Sequence, residues 1–208
     1  MEPFRVYRKL EPEEHICIFG DPAEGVDYCA AVGISKKYDD VPLVFNDRIE
    51  SSQFGHELYN IAKYVEMRTH IWPTIGVERN TGQATIYVLV TLNYPDLFRM
   101  KYFDTPGGQQ SEKIGWMTTE ASRKAMLDDL ALVLRQDRLK VWDREVIEQL
   151  RTFIVDRRGK PRAESGKKDD LIIGLAGSYQ LYLKTPKKEI DEFDKEEWKK
   201  SQEKWRFK

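Results

Sequence analysis

Apolar positions in the first third of the chain come in short, dense runs. Those at 15–19, 28–34 and 42–49 are rich in Val, Ile, Leu and Phe and are separated by Gly- and Asp-containing turns, which predicts three strands in an antiparallel meander. The period then changes. Phe54, Leu58, Ile61, Ala62 and Val65 recur at helical spacing behind Ser51-Ser52, a candidate N-cap, and a further apolar run at 71–77 reads as a strand. Three strands, a crossover helix and a fourth strand predict a layered α/β domain in which the fourth strand runs parallel to the first.

Beyond residue 78 the pattern predicts a helix at 84–92, despite its β-branched residues, and a hairpin from 97–103 and 113–117 around the turn at 104–109. Thr118-Thr119-Glu120 caps a helix continuing through Leu134, and Asp143 starts another. Segments 152–155 and 161–164 bracket Asp156-Arg-Arg-Gly159 as a second hairpin. Residues 169–183 form an apolar helix, and 184–208 a charged helix or tail punctuated by Trp198, Trp205 and Phe207. The expected division is one domain at 1–183 and a charged appendage at 184–208.

Composition adds limits. A chain of 208 residues with 40% hydrophobic and 33% charged residues suits one buried core. Cys17 and Cys29 both sit inside apolar runs, the setting of free buried thiols in a reducing compartment. No apolar stretch reaches the roughly 18–20 residues of a membrane span, so the cytoplasm is the expected location. The balance of 34 basic and 35 acidic residues leaves only local arrangement to speak for or against nucleic acid. His15, His56 and His70 lack zinc-site spacing.

The chemistry lies in the acids that close apolar runs. Asp21 ends the first strand, Glu78 ends the fourth, and Asp169-Asp170 opens the last apolar helix. Ligands of open α/β sheets sit beyond the carboxyl ends of strands, and hard divalent cations take carboxylate oxygens together with substrate phosphates. These acids are therefore candidates for a phosphodiester-cleaving metal site. Each has an ordinary structural reading as well: Asp21 before Pro22 as a turn residue, Glu78 as a solvated loop acid, and the Asp169-Asp170 pair as helix-terminal acids.

Four motifs in order, Asp21-Pro-Ala-Glu-Gly-x-Asp27, Glu78-x-Asn80-x-Gly82, Lys113-Ile-Gly-Trp116-x-Thr118-Thr119 and Gly166-Lys-Lys-Asp169-Asp170, resemble those of the nuclease domain of tailed-phage terminase large subunits over roughly residues 13–183. The resemblance implies a ribonuclease H-like fold, a central mixed sheet flanked by helices with hairpin insertions, and metal-dependent cutting of double-stranded viral DNA in the host cytoplasm during genome packaging. It also implies an ATPase motor domain, a portal protein and a small terminase subunit as partners. The 208 residues contain no phosphate-loop motif for such a motor. Asp21, Glu78, Asp169 and Asp170 are the expected catalytic and metal-ligating residues, holding two Mg²⁺ or Mn²⁺ ions. Asp21 bridges both, and of the helix pair Asp169 is favoured as the ligand, with Asp170 capping or orienting the helix or acting through a water. Packed this closely, one acid is expected to titrate abnormally high without metal.

Candidate contacts to the duplex backbone are Lys167 and Lys168 beside the acids, Arg157, Arg158, Lys160 and Arg162 in the second hairpin, and Arg99, Lys101 and Lys113 in the first. Asp27 and Glu24 are weaker candidates for chemistry; Asp104, Asp143 and Asp156 read as turn or cap residues. A junction resolvase of the same fold and a non-catalytic DNA- or portal-docking module remain the alternatives.

Overall fold

Strand pairing follows the hydrophobic pattern closely. A computed structural model of the protein describes residues 2–23, 27–103, 110–156 and 159–189. Strands β1 (Phe4–Val6), β2 (Ile16–Asp21), β3 (Cys29–Ser35), β4 (Asp40–Asp47), β5 (Thr74–Val77) and β8 (Lys140–Val141) form one mixed sheet. Its order is β1-β4-β3-β2-β5, with β8 parallel to the start of β4. The meander β2-β3-β4 is antiparallel, and β5 lies parallel to β2 after helix α1 (Ser51–Thr69), as the crossover requires. The short strands β1 and β8, which share the outer edge of β4, carry no apolar run and had no sequence signal.

Both faces of the sheet are covered, which is why its strands read as unbroken apolar runs. Ile16, Ile18, Ala31 and Leu43 face α1 and helix α2 (Gln83–Thr91), meeting Phe54, Leu58 and Leu89. Cys17, Phe19, Val32 and Val44 face helices α3 (Glu120–Arg135) and α5 (Asp170–Lys184). Helix α4 (Arg144–Arg151) packs on α5, and two separate hairpins, β6 (Arg99–Phe103) with β7 (Gln110–Ile114) and β9 (Phe153–Val155) with β10 (Pro161–Ala163), project from this body. Among the described residues no helix is long and apolar enough to cross a membrane, and Cys17 and Cys29 are buried free thiols.

Helix starts differ in one place from the sequence reading. Glu50, not Ser51 or Ser52, is the N-cap of α1, and its side chain makes no cap bond. Ser51 is instead engaged with α2: Thr85 Oγ1 lies 2.9 Å from Ser51 Oγ and 2.6 Å from its carbonyl oxygen. Thr119 caps α3 through a reciprocal pair of bonds with Ser122, and Asp143 caps α4 through Val146 N–H at 2.8 Å. Asp156 is a turn acid, accepting from Lys160 N–H at 3.0 Å. Residues 104–109, Glu24, Arg157, Arg158 and the 190–208 portion of the tail, with Trp198, Trp205 and Phe207, lie outside the described residues.

What seats α5 on the sheet also aims its first residue. A Cβ on Gly177 would stand 2.3 Å from the Phe19 ring, so only glycine lets the helix approach β2 this closely. The next residue, Ser178, accepts from Phe19 N–H at 3.0 Å and donates to the Val32 carbonyl, joining helix, β2 and β3 through one hydroxyl. At the helix start, Leu171 N–H donates to Gln149 Oε1 at 3.0 Å, so α4 supplies the partner of a terminal amide. Asp170 is thereby brought to the carboxyl end of β2.

The other end of the sheet is tied by a closed loop of bonds. Lys188 N–H donates to His15 Nδ1 at 3.2 Å, leaving the ring's proton on Nε2 for Thr74 Oγ1 at 2.9 Å. Thr74 in turn donates to Asp96 Oδ2, to which Lys188 Nζ returns at 2.5 Å. Only a neutral imidazole can accept at Nδ1, and desolvation together with the Lys188 charge lowers the His15 pKa to about 4.

Two outcomes are expected. Gly177→Ala overpacks the α5–β2 contact and destabilises the fold by about 1–3 kcal/mol in urea denaturation. The unfolded chain binds a proton at His15 near pH 6.5 whereas the folded one resists it until about 4, so the His15 contribution is fully present above 6.5 and lost as pH falls toward 4. This loss amounts to about 3 kcal/mol, and His15→Asn flattens that part of the stability–pH curve measured by urea titration.

Candidate active site

Three acids come out at the edge where β2, β5 and α5 converge. Asp21 is the last residue of β2, and Glu78 follows β5, its N–H held by the Gly20 carbonyl at 2.9 Å. Because β2 and β5 are parallel and paired Gly20 to Val77, the residue after each pair comes out at the same edge. Asp170, the first residue of α5, completes the group.

The loops that carry these acids are bonded to one another. Trp116 N–H donates to the Val77 carbonyl, Arg79 N–H to the Trp116 carbonyl, and Asn80 Nδ2 to the Thr118 carbonyl at 2.8 Å. A Cβ on Gly82 would stand 2.2 Å from the Glu78 carbonyl oxygen and 3.0 Å from Pro22, so glycine permits the turn after Glu78 to fold back on the one after Asp21. Gly115 has φ of +86°, which favours glycine and delivers Trp116 to its bridge with Glu78. The four motifs thus form one structural unit, with Arg123 of α3 linking the third to the fourth.

Electrostatics set the acids apart. The Asp21 carboxyl is pushed well above the usual carboxylate range by desolvation, by a hydrogen bond with Glu78, and by the charges of Glu78 and Asp170; Arg123 acts in the opposite direction. The Asp170 pKa is pushed up to about 6, by desolvation first and then by Asp169, while Lys168 opposes the shift and Asp27 adds to it.

Asp169 and Asp170 have different surroundings. Arg123 Nη2 bonds Asp169 Oδ2 at 2.9 Å, and Asp169, although the N-cap of α5, makes no side-chain cap bond. Asp170 is the one whose charge acts on Asp21. Arg123 itself was not among the residues anticipated from sequence. Its signal is a cation in the first turn of a capped helix, where the dipole disfavours positive charge and an outside partner is needed.

The described cations expected to meet a duplex lie at the surface. Lys167, Lys160 and Arg99 are exposed, Lys101 faces Glu112 at 3.9 Å, and Arg162 faces Asp156 at 3.7 Å. Lys168 lies with Nζ 3.1 Å from the centre of the Tyr28 ring. A cleft of about 530 Å³ separates the start of α3, with Arg123 and Lys124, from Gly159, Lys160 and Pro161 in the second hairpin.

Among the described residues no three Asp, Glu, His or Cys side chains stand close enough to enclose a cation unaided. The donor set nevertheless fits a hard divalent ion. It is anionic and made of oxygen, and the desolvation and repulsion that raise the Asp21 carboxyl are what a bound cation would relieve.

No protein-family model matches the sequence, and no curated protein matches it. Solved structures do resemble the fold. The large terminase nuclease of thermophilic phage G20c is 16% identical with a TM-score of 0.66, over 88% of this chain and 90% of that one. The large terminase nuclease domain of Thermus phage P74-26 is 16% identical with a TM-score of 0.65, over 91% of each chain. The human cytomegalovirus terminase nuclease domain, soaked with manganese and bound to an inhibitor, is 15% identical with a TM-score of 0.54, over 80% of this chain and 82% of that one. A further structure of the G20c nuclease holds magnesium. A mixed sheet covered on both faces, with its acids at the carboxyl ends of two parallel strands and the start of a facing helix, gives this chain the ribonuclease H-like fold of terminase nuclease domains.

Proposed function

We propose that the protein is a metal-dependent endonuclease that cleaves double-stranded viral DNA with little sequence preference during genome packaging in the host cytoplasm. The observation that carries the reading is the parallel β2–β5 register, which brings Asp21 and Glu78 out at one edge of the sheet, where Asp170 opens α5. Surfaces do not normally force three carboxylates together, because each repels the others and loses water. A site that must bind cations and phosphates has reason to do so.

Asp21, Glu78 and Asp170 would hold the metal. Asp169, paired with Arg123, fixes the start of α5. Two bound Mg²⁺ or Mn²⁺ ions would supply stabilisation of charge on the attacking, bridging and leaving oxygens and a lowered pKa for the attacking water. The protein's own task is positional: the β2–β5 register and the Gly177 seat hold the carboxylates, and the Arg123–Asp169 pair holds the helix start. Backbone phosphates of the duplex are met by Lys167, Lys168, Lys160, Arg162, Arg99 and Lys101, with the cleft beside Arg123 as a continuation of that path. An ATPase motor domain, a portal protein and a small terminase subunit are the partners this role calls for.

Plasmid nicking in Mn²⁺ or Mg²⁺, abolished by chelator and by Asp21→Asn, is the direct test. Failure to cut, together with no rise in melting temperature in millimolar metal, would exclude the reading in favour of a docking module. Without metal, Asp21→Asn is expected to raise the melting temperature by about 2–4 °C, equivalent to about 1 kcal/mol, because a neutral amide removes the desolvation and repulsion that burden the Asp21 carboxyl. The same substitution removes most of the metal-induced stabilisation seen for the unaltered protein in a thermal melt.

A further inference from the structure

A duplex approaching three carboxylates needs cations that stay cationic. Most basic side chains near acids are neutralised by them, as Arg123 is by Asp169. Lys168 and Arg48 are placed differently. Lys168 Nζ lies 3.1 Å, and the Arg48 guanidinium carbon 4.7 Å, from the centre of one half-buried ring, that of Tyr28. Among the described residues these ring contacts, and not ion pairs, are what hold both side chains. An aromatic face attracts a cation through its quadrupole while contributing no negative charge, so the positive field of both groups survives.

The strand register explains how residues 28, 48 and 168 meet. Cys29 pairs with Asp47, so Tyr28 and Arg48, one step further out, are neighbours at the end of β3 and β4. Asp21 pairs with Ala30 at that same end. Lys168 arrives from the loop before α5, close enough for its charge to act on Asp170. Both cations are exposed, and the ring restrains long side chains that would otherwise lose rotamer freedom on meeting a ligand.

We propose that Tyr28 is the platform of a phosphate clamp, a positioning residue that fixes Lys168 and Arg48 to grip the phosphodiester backbone of duplex DNA beside the acids. This rests on the nuclease reading and adds to it a binding element with its own readout. Arg48 and Tyr28 lie outside every motif that suggested the site, and the ring is what joins them to Lys168.

The test is anisotropy of a labelled 30-base-pair duplex in chelator, where no cutting occurs, over a range of salt. Lys168→Ala and Arg48→Ala should each reduce the slope of log K against log salt by about 0.9, the value of one phosphate contact. Tyr28→Leu, which changes no charge, should weaken binding about tenfold, and Tyr28→Phe, which keeps the ring face, should restore it. In a background lacking both cations Tyr28→Leu should cost nothing further. With Mn²⁺ present, the cleavage defect of Tyr28→Leu should fall on KM. Wild-type affinity in Tyr28→Leu, an equal loss in the background lacking both cations, or unchanged salt slopes in the two alanine variants would overturn the clamp; so would a wild-type protein that fails to bind the duplex. Cleavage with binding indifferent to these variants removes the clamp alone, whereas clamp-dependent binding without metal-dependent cleavage removes the nuclease reading alone.

Discussion

Crowding of like charge at one edge of the sheet is the constraint from which the remaining features follow. Asp21, Glu78 and Asp170 would separate if their backbones were free to move, since desolvation and mutual repulsion both oppose their meeting. They are held by elements that cannot yield cheaply: a parallel strand pair buried on both faces and a helix whose glycine lies against the Phe19 ring. The cost of the cluster is borne by the core. This explains why much of the packing between α5 and the sheet is specific to position, with Gly177 and Ser178 each admitting little variation.

The same logic accounts for the second layer of support. An acid at a helix start is favoured by the dipole, yet two in succession would repel each other there. Arg123 pairs with Asp169, and its charge also moderates Asp21. Gln149 then supplies the acceptor for Leu171 N–H, a cap bond that Asp169 does not make. Gln149 belongs to α4, whose cap Asp143 is bonded to Arg5 of β1 at 2.8 Å. A strand with no sequence signal of its own is thus connected, through one ion pair and one short helix, to the aim of Asp170.

Legibility in the sequence divides along the same line. Strands β2 to β5 and helices α1 to α5 were readable because burial on two faces writes long apolar runs and helices write a period of their own; the hairpins were readable from their turns, although the second strand of the first, read at 113–117, is Gln110–Ile114. Strands β1 and β8 were not, being two or three residues long and held at an edge by pairing alone. The cap of α1 was misplaced because Ser51 has a tertiary partner in Thr85, which competes with local capping. The acids stood out as strand-end residues, but their partners did not. Arg123, Tyr28 and Arg48 act through contacts between segments far apart in sequence, and such contacts leave no local pattern.

Asp169 and Asp170 illustrate what sequence leaves undecided and coordinates describe. Adjacent residues at a helix start diverge by about 100°, so a single cluster cannot use both side chains alike. One is paired with the arginine of α3; the other is the one whose charge acts on Asp21. A neutralised carboxylate offers little to a cation, because binding one would first require displacing the guanidinium. A carboxylate in a crowd of acids gains from a cation all the repulsion that the cation removes. The identity of the neighbouring charge, and not the order of the two residues in the chain, is what gives them different surroundings.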